Sequence, residues 1–287
     1  MDANLRRRIA VAAIGIPAAI VLIWAGGWPL TLLLVTLAFL GCRELFDLAL
    51  LQQVAPLRET GIGLASLTPL LTYLALATPR AGEWLGSNIA FVAVALVILL
   101  LIETLGMRGP DARPLSAVAV TLFGVFYVGV LPSFLLVIRS SRGEYSWSGT
   151  ALVLFPLVVT WVGDTAAMFG GRIFGGAKLA PTISPGKTRA GGIAGLLGSA
   201  IIGPIFALAI FPAAHIVIDP FAATAVALVI GVLGQVGDLA ESLFKREAGV
   251  KDSSTLIPGH GGVLDRLDSL YFAIPAAAAC YRILGLV

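Results

Sequence analysis

Nine apolar stretches, each close to twenty residues long, recur along this 287-residue chain, and few architectures can absorb so many. They run roughly over 9–25, 29–50, 61–78, 88–106, 115–138, 150–170, 191–211, 221–243 and 268–286. An apolar helix of about 20 residues rises about 30 Å, the thickness of the hydrocarbon layer of a bilayer. The pattern therefore predicts an all-α, polytopic integral membrane protein of about nine transmembrane helices forming a single membrane domain over 1–287. A mean hydropathy of +0.98 excludes a soluble enzyme.

Cationic loops remain on the cytoplasmic side of a membrane, so Lys and Arg fix the orientation. With the N-terminus inside, fifteen of the nineteen cations, from Arg6, Arg7 and Arg8 to Arg266, fall on inner segments, and only Arg80, Arg139, Arg142 and Arg282 fall outside. Nine spans then leave the C-terminus outside and turn the two long polar loops, 171–190 and 244–267, toward the cytoplasm. The Arg6-Arg7-Arg8 start reads as the flank of a retained first helix rather than a cleaved leader, because the apolar stretch is long and lacks a small-x-small exit. A net charge of +3, sorted by topology, gives no reason to expect nucleic-acid binding. Cys42 and Cys280 have no metal or redox spacing and read as packing residues.

Polar chemistry concentrates late. Residues 1–150 read mainly as scaffold and 151–287 as the catalytic half. Ten of the charged residues lie between Asp238 and Asp268. Asp238, Glu241, Ser242 and Lys245 stand at i, i+3, i+4 and i+7, which places them on one helix face. Carboxylates entering a membrane helix are expensive unless they face a cavity, a partner or an ion. A plain Glu241–Lys245 pair at a helix end is the alternative.

The second cluster is Pro258-Gly-His260-Gly261-Gly262 leading to Asp265-Arg266-Leu-Asp268. Glycines allow close backbone approach, and such a turn before a helix start can offer N–H groups to phosphate oxygens. Asp265 and Asp268 also suit a helix start for purely structural reasons. Mg²⁺ is commonly held by one or two carboxylates, water and substrate phosphates, and Asp238 with Asp265 is the best ligand pair. His260 alone is compatible with a phosphate contact, a proton carrier or a loop cap.

The third cluster comprises Asp164, inside the sixth stretch, and Ser184-Pro-Gly-Lys187-Thr188-Arg189 in the following loop. Gly186-Lys187-Thr188 is not a P-loop, because Pro181 occupies the position of the required upstream glycine. Lys187, Thr188 and Arg189 remain able to bind phosphate oxygens. Asp164 pairs with Arg172 or Lys187, or it serves the site. Glu44, Asp47 and Glu103 read as interfacial or interhelical.

The run Ser242-Leu-Phe-Lys245-Arg246-x4-Lys251-Asp252-x5-Pro258-Gly-His260-Gly261-Gly262-x2-Asp265-Arg266-x-Asp268 resembles the signature of the phosphatidate cytidylyltransferases, or CDP-diacylglycerol synthases. Asp164 and Ser184-Pro-x-Lys187-Thr188 extend the likeness over most of 160–268, while Arg189-Ala190 departs from an aromatic-acidic pair common in similar proteins. The resemblance implies transfer of a cytidylyl group from CTP to phosphatidate at the cytoplasmic face of a bacterial-type inner membrane. It further implies Mg²⁺ with a second cation such as K⁺ at Asp238 and Asp265, and it admits a homodimer. The roles expected are metal binding for Asp238 and Asp265 supported by Asp268; phosphate charge for Lys245, Arg246, Lys251 and Arg266; and hydrogen bonding for Ser242. Lys187, Thr188, Ser184, His260, Gly261, Gly262 and Asp164 complete the expected substrate site. An ion-coupled transporter or another membrane lipid phosphotransferase is the competing expectation, since intramembrane carboxylates mark ion paths too.

Overall fold

The computed structural model describes residues 3–257, 259 and 261–287, with side chains from Ala13 onward except Ile14. Helices dominate: α1 (Ala3–Ala25), α2 (Gly27–Leu51), α3 (Arg58–Ala77), α4 (Pro79–Met107) and α5 (Pro110–Ser140) precede α6 (Trp147–Phe174). After α6 come two short strands, β1 (Lys178–Ala180) and β2 (Ser184–Thr188), then α7 (Arg189–Ala213), α8 (Pro220–Glu247), α9 (Leu264–Leu267) and α10 (Leu270–Ile283). Six of these, α3 to α8, are long and apolar enough to cross a membrane. The first, second and ninth apolar stretches fall on α1, α2 and the α9–α10 pair. α2 carries Arg43, Glu44 and Asp47 near its end, and α10 is only 14 residues long.

Two features depart from the sequence reading. The segment 171–190 is no open loop: α6 continues to Phe174, and the remainder folds into an antiparallel hairpin with Lys178 opposite Thr188 and Ala180 opposite Ser184. An all-α description therefore needs this hairpin added. Helices also overrun the apolar stretches, as α4 does by beginning at Pro79. Hydropathy registers only the apolar part of a helix, whereas backbone hydrogen bonding continues into polar flanks.

Prolines leave their mark inside the long helices. Pro132 and Pro212 lack an N–H, which frees the carbonyls of Val128 and Leu208, and each follows a π turn, at Val125–Val130 and Phe206–Ile210. The main core joins Leu30 and Leu34 of α2 to Leu136 of α5, Phe155 of α6, Ile230 of α8 and Tyr281 of α10. A second core around Phe46, Cys42, Tyr127, Leu264 and Tyr271 packs α9 and α10 on α2 and α5. Cys42 is fully buried there, and Cys280 is partly buried against the main core.

Helices α6 and α7 approach closely. A Cβ on Gly163 would stand 2.7 Å from Ser199 Oγ, and one on Gly198 would stand 2.7 Å from the Ala166 side chain. Small residues permit this separation, the usual means by which helices pack where burial from water gives no driving force. At the opposite end of the fold from Glu44, buried Arg139 donates to the carbonyls of Ile23 (2.6 Å), Trp24 (2.5 Å) and Gly143 (2.6 Å), tying the end of α1 to the end of α5.

Candidate functional site

The polar face of α8 forms as its spacing requires. Asp219 caps the helix by accepting from the Phe221 and Ala222 N–H groups, and Pro220 occupies the first turn. More than five turns on, Ser242 Oγ donates to Asp238 Oδ1 at 3.4 Å and Lys245 Nζ donates to Glu241 Oε1 at 3.0 Å. Glu241, Ser242 and Lys245 are buried, so this face meets protein rather than water. Lys245 also donates to Asp265 Oδ1 at 2.6 Å, joining α8 to α9.

Asp265 sits at the start of α9, where its other oxygen receives the Ser253 N–H (2.8 Å), the Ser253 hydroxyl (2.9 Å) and the Gly262 N–H (2.8 Å). Burial alone would raise its pKa; the Lys245 hydrogen bond and the two backbone donors overcome that and hold the carboxyl below the usual carboxylate value. The glycines make this approach possible. Gly261 has φ +81°, and a Cβ there would stand 2.6 Å from Asp265 Oδ2.

The hairpin supplies the opposite wall. Lys187 on β2 reaches Asp238 Oδ2 at 2.5 Å. Thr188 caps α7 by accepting from the Gly191 N–H at 3.0 Å, and it is itself buried. Arg246 donates to the Ile183 carbonyl (3.1 Å) and the Val250 carbonyl (2.7 Å), which fastens the hairpin to the end of α8. Its guanidinium is thus spent on backbone, and Arg246 lines neither cavity described next.

Two cavities meet here. The larger, about 950 Å³, has a polar lining from Asp164, Lys187, Asp238, Asp265, Arg266 and Asp268 and an apolar lining from Gly15, Ile16, Ala19, Leu33, Leu37 and Trp161. Thr188 also faces it. The smaller, about 410 Å³, is polar and lined by Lys251, Asp252, Ser254, Thr255, Gly259 and Gly261. Ile257 and Arg266 line both.

Of the residues singled out in the sequence, Asp164, Lys187, Thr188, Asp238, Asp265, Arg266 and Asp268 converge on the larger cavity, and Lys251 and Gly261 on the smaller. Gly262 serves through its N–H to Asp265, and Asp268 accepts from the Ser269 N–H at 2.7 Å. Ser184 begins β2, partly buried, away from both linings. His260 lies outside the described residues.

Glu44, read from sequence as interfacial or interhelical, is buried and accepts four hydrogen bonds from Ser253, Ser254, Val263 and Leu264, which links α2 to the start of α9. No local signal set it apart from its charged neighbours Arg43 and Asp47 on the same helix. Leu33 and Leu37 on α2, in the first half of the chain, line the cavity as well.

Among the described residues no three His, Cys, Asp or Glu side chains form a metal-holding group. The donor chemistry nonetheless suits a hard cation: Asp238 and Asp265 face one cavity, and each already draws a lysine ammonium to within hydrogen-bonding distance.

The family model of cytidylyltransferases matches residues 6–284. The chain is similar to the phosphatidate cytidylyltransferase of Synechocystis, 33% identical over 292 aligned residues covering 94% of each chain. It is likewise similar to that of Brucella suis, 34% identical over 278 residues, 97% of this chain and 92% of the relative. A shorter match, 47% identical over 133 residues, links it to the Haemophilus influenzae protein of the same name.

Proposed function

Because the chain belongs to the cytidylyltransferase family, we propose that it transfers a cytidylyl group from CTP to phosphatidate, giving CDP-diacylglycerol and pyrophosphate. The observation that carries the reading is the pair of cavities sharing Arg266: an amphipathic one beside a polar one. A lipid phosphate has its complement at Lys187 and Arg266 with its chains along the α1, α2 and α6 wall. A polyphosphate has its complement at Lys251, Ser254 and Thr255.

The reaction joins a phosphatidate oxygen to the α-phosphorus of CTP and releases pyrophosphate, taking the P–O electron pair with it. A phosphomonoester, with a second pKa of about 6, is already largely ionised near neutrality, so no strong base is required. Orientation and neutralisation of charge then supply most of the rate. Lys187 and Arg266 oppose the repulsion between two polyanions, and Lys251 holds the leaving phosphates. Lys245 fixes Asp265, and Arg246 fixes the hairpin bearing Lys187.

Mg²⁺, when bound, supplies further charge neutralisation on the phosphates; Asp238 and Asp265 would hold it, with Asp268 beside them and a monovalent cation as companion. The lysine partners of Asp238 and Asp265 mark these oxygens as places where positive charge is favoured.

The proposed topology has nine spans, a cytoplasmic N-terminus, an outer C-terminus and the site at the cytoplasmic face of a bacterial inner membrane. The asymmetric distribution of Lys and Arg supports it. Incubating purified protein with labelled CTP, phosphatidate and Mg²⁺ tests the function. A CDP-lipid and pyrophosphate in equal amounts are expected, and their absence in folded protein would rule the reading out.

A further inference from the structure

Glu44 on α2 is 5% exposed, yet among the described residues no lysine or arginine is a hydrogen-bond donor to it. Its Oε1 receives the Ser254 hydroxyl (2.7 Å) and the Val263 N–H (3.0 Å). Its Oε2 receives the Ser253 hydroxyl (2.9 Å) and the Leu264 N–H (2.9 Å). Each oxygen thus has one hydroxyl donor and one fixed backbone donor. All four come from Ser253, Ser254, Val263 and Leu264, at the two ends of a segment that borders the polar cavity, and Ser254 lines that cavity directly. Ser253 Oγ lies 2.9 Å from both Glu44 Oε2 and Asp265 Oδ2, so two carboxylates from different halves of the chain grip one residue. A buried carboxylate is tolerated only where hydrogen bonds replace its hydration, which couples the charge on Glu44 to the shape of this segment.

We infer that Glu44 is a positioning residue for the nucleotide: it holds Ser253 and Ser254 against Val263 and Leu264 in the form that receives the CTP polyphosphate, without itself touching substrate. This rests on the cytidylyltransferase reading above. The same helix lines the apolar part of the larger cavity through Leu33 and Leu37, but of the four Glu44 donors Ser254 lines the polar cavity and none lines the larger one, so its influence should fall on CTP and spare the lipid.

Glu44→Gln discriminates. The Ser253 and Ser254 hydroxyls can rotate to accept, whereas the Val263 and Leu264 N–H groups cannot. Whichever way the amide turns, its NH₂ faces one of those backbone donors. Losing one hydrogen bond to a charged group, about 1.5–3 kcal/mol, corresponds to a rise of about 10-fold or more in KM for CTP. In purified full-length protein with mixed micelles, KM for phosphatidate should stay unchanged. Glu44→Asp, which keeps four acceptor sites, should recover part of the loss. An unchanged KM for CTP in folded Glu44→Gln, or parallel rises in both KM values, would overturn the inference. Should Glu44→Gln not fold, Glu44→Asp decides by the same criterion. A wild-type enzyme with no CTP-dependent turnover would overturn the parent reading, and this one with it, before any variant is compared.

Discussion

The Lys245 ammonium stands 2.6 Å from Asp265 Oδ1, and the bond spans two helices while the same nitrogen holds Glu241 on its own helix at 3.0 Å. One buried cation thus serves two buried carboxylates. Lys245→Ala would leave both without a countercharge, and breaking a buried pair by deleting one partner costs about 3–5 kcal/mol.

The pH dependence of that loss has a definite sign. In the wild type the Asp265 pKa is depressed, so its contribution is present above the unfolded value of 3.8 and fades as pH falls through the folded pKa. Without Lys245, burial is opposed only by the two backbone donors, so the Asp265 pKa rises and the ionised group contributes less to folding at neutrality. Lys245→Ala should therefore gain more thermal stability than the wild type between about pH 7 and about pH 5. Thermal unfolding in chelator at the two pH values measures the difference; equal behaviour would remove Lys245 from this role.

Asp238 links the other wall of the site through its 2.5 Å pair with Lys187. Asp238→Asn is expected to lose the metal and lower turnover by about 10²-fold or more, several kcal/mol of charge stabilisation, with the fold kept. Lys187→Met should also lower turnover. Because the two touch, their losses should fall short of additive in the double variant. Mg²⁺ titration of steady-state turnover reads both effects, and additivity would mean that the pair acts through separate routes.

What was legible in the sequence was whatever depends on local periodicity. Apolar stretches located the helices, and i, i+3, i+4, i+7 spacing located the face from Asp238 to Lys245. Partners supplied from far along the chain were illegible. Glu44 meets donors more than 200 positions away, most of them backbone groups or serines that no composition argument selects. Arg246, expected to carry phosphate charge, also donates to the Ile183 and Val250 carbonyls, backbone partners that no sequence pattern selects. The hairpin escaped notice because five residues reading Ser-Pro-Gly-Lys-Thr carry no apolar alternation.

Thr188 offers a separation of structural from chemical roles. Its hydroxyl accepts from the Gly191 N–H at the start of α7 while also facing the larger cavity. Thr188→Ala should cost about 1 kcal/mol of stability as a lost cap, and Thr188→Ser should restore it. If the hydroxyl serves only the helix, KM for both substrates will match wild type in Thr188→Ala once the fall in Tm is taken into account. A KM shift that Ser rescues would instead assign it to substrate.

The apolar lining of the larger cavity makes a prediction about the lipid. A Cβ built on Gly15 meets nothing within 4 Å, so a side chain there would project into open space beside Ile16 and Ala19. The polar residues that would hold a phosphate lie on α6, α8, the hairpin and α9, so a substituent on α1 should leave headgroup contacts intact. Gly15→Leu would occupy volume otherwise open to acyl chain. Each methylene denied burial removes about 0.8 kcal/mol, or about 4-fold in affinity. Long-chain phosphatidates should therefore lose kcat/KM progressively in Gly15→Leu, while short-chain substrates and KM for CTP remain as in wild type. Competition between phosphatidates of graded chain length measures this directly. An equal loss at every length would show that α1 does not border the chains.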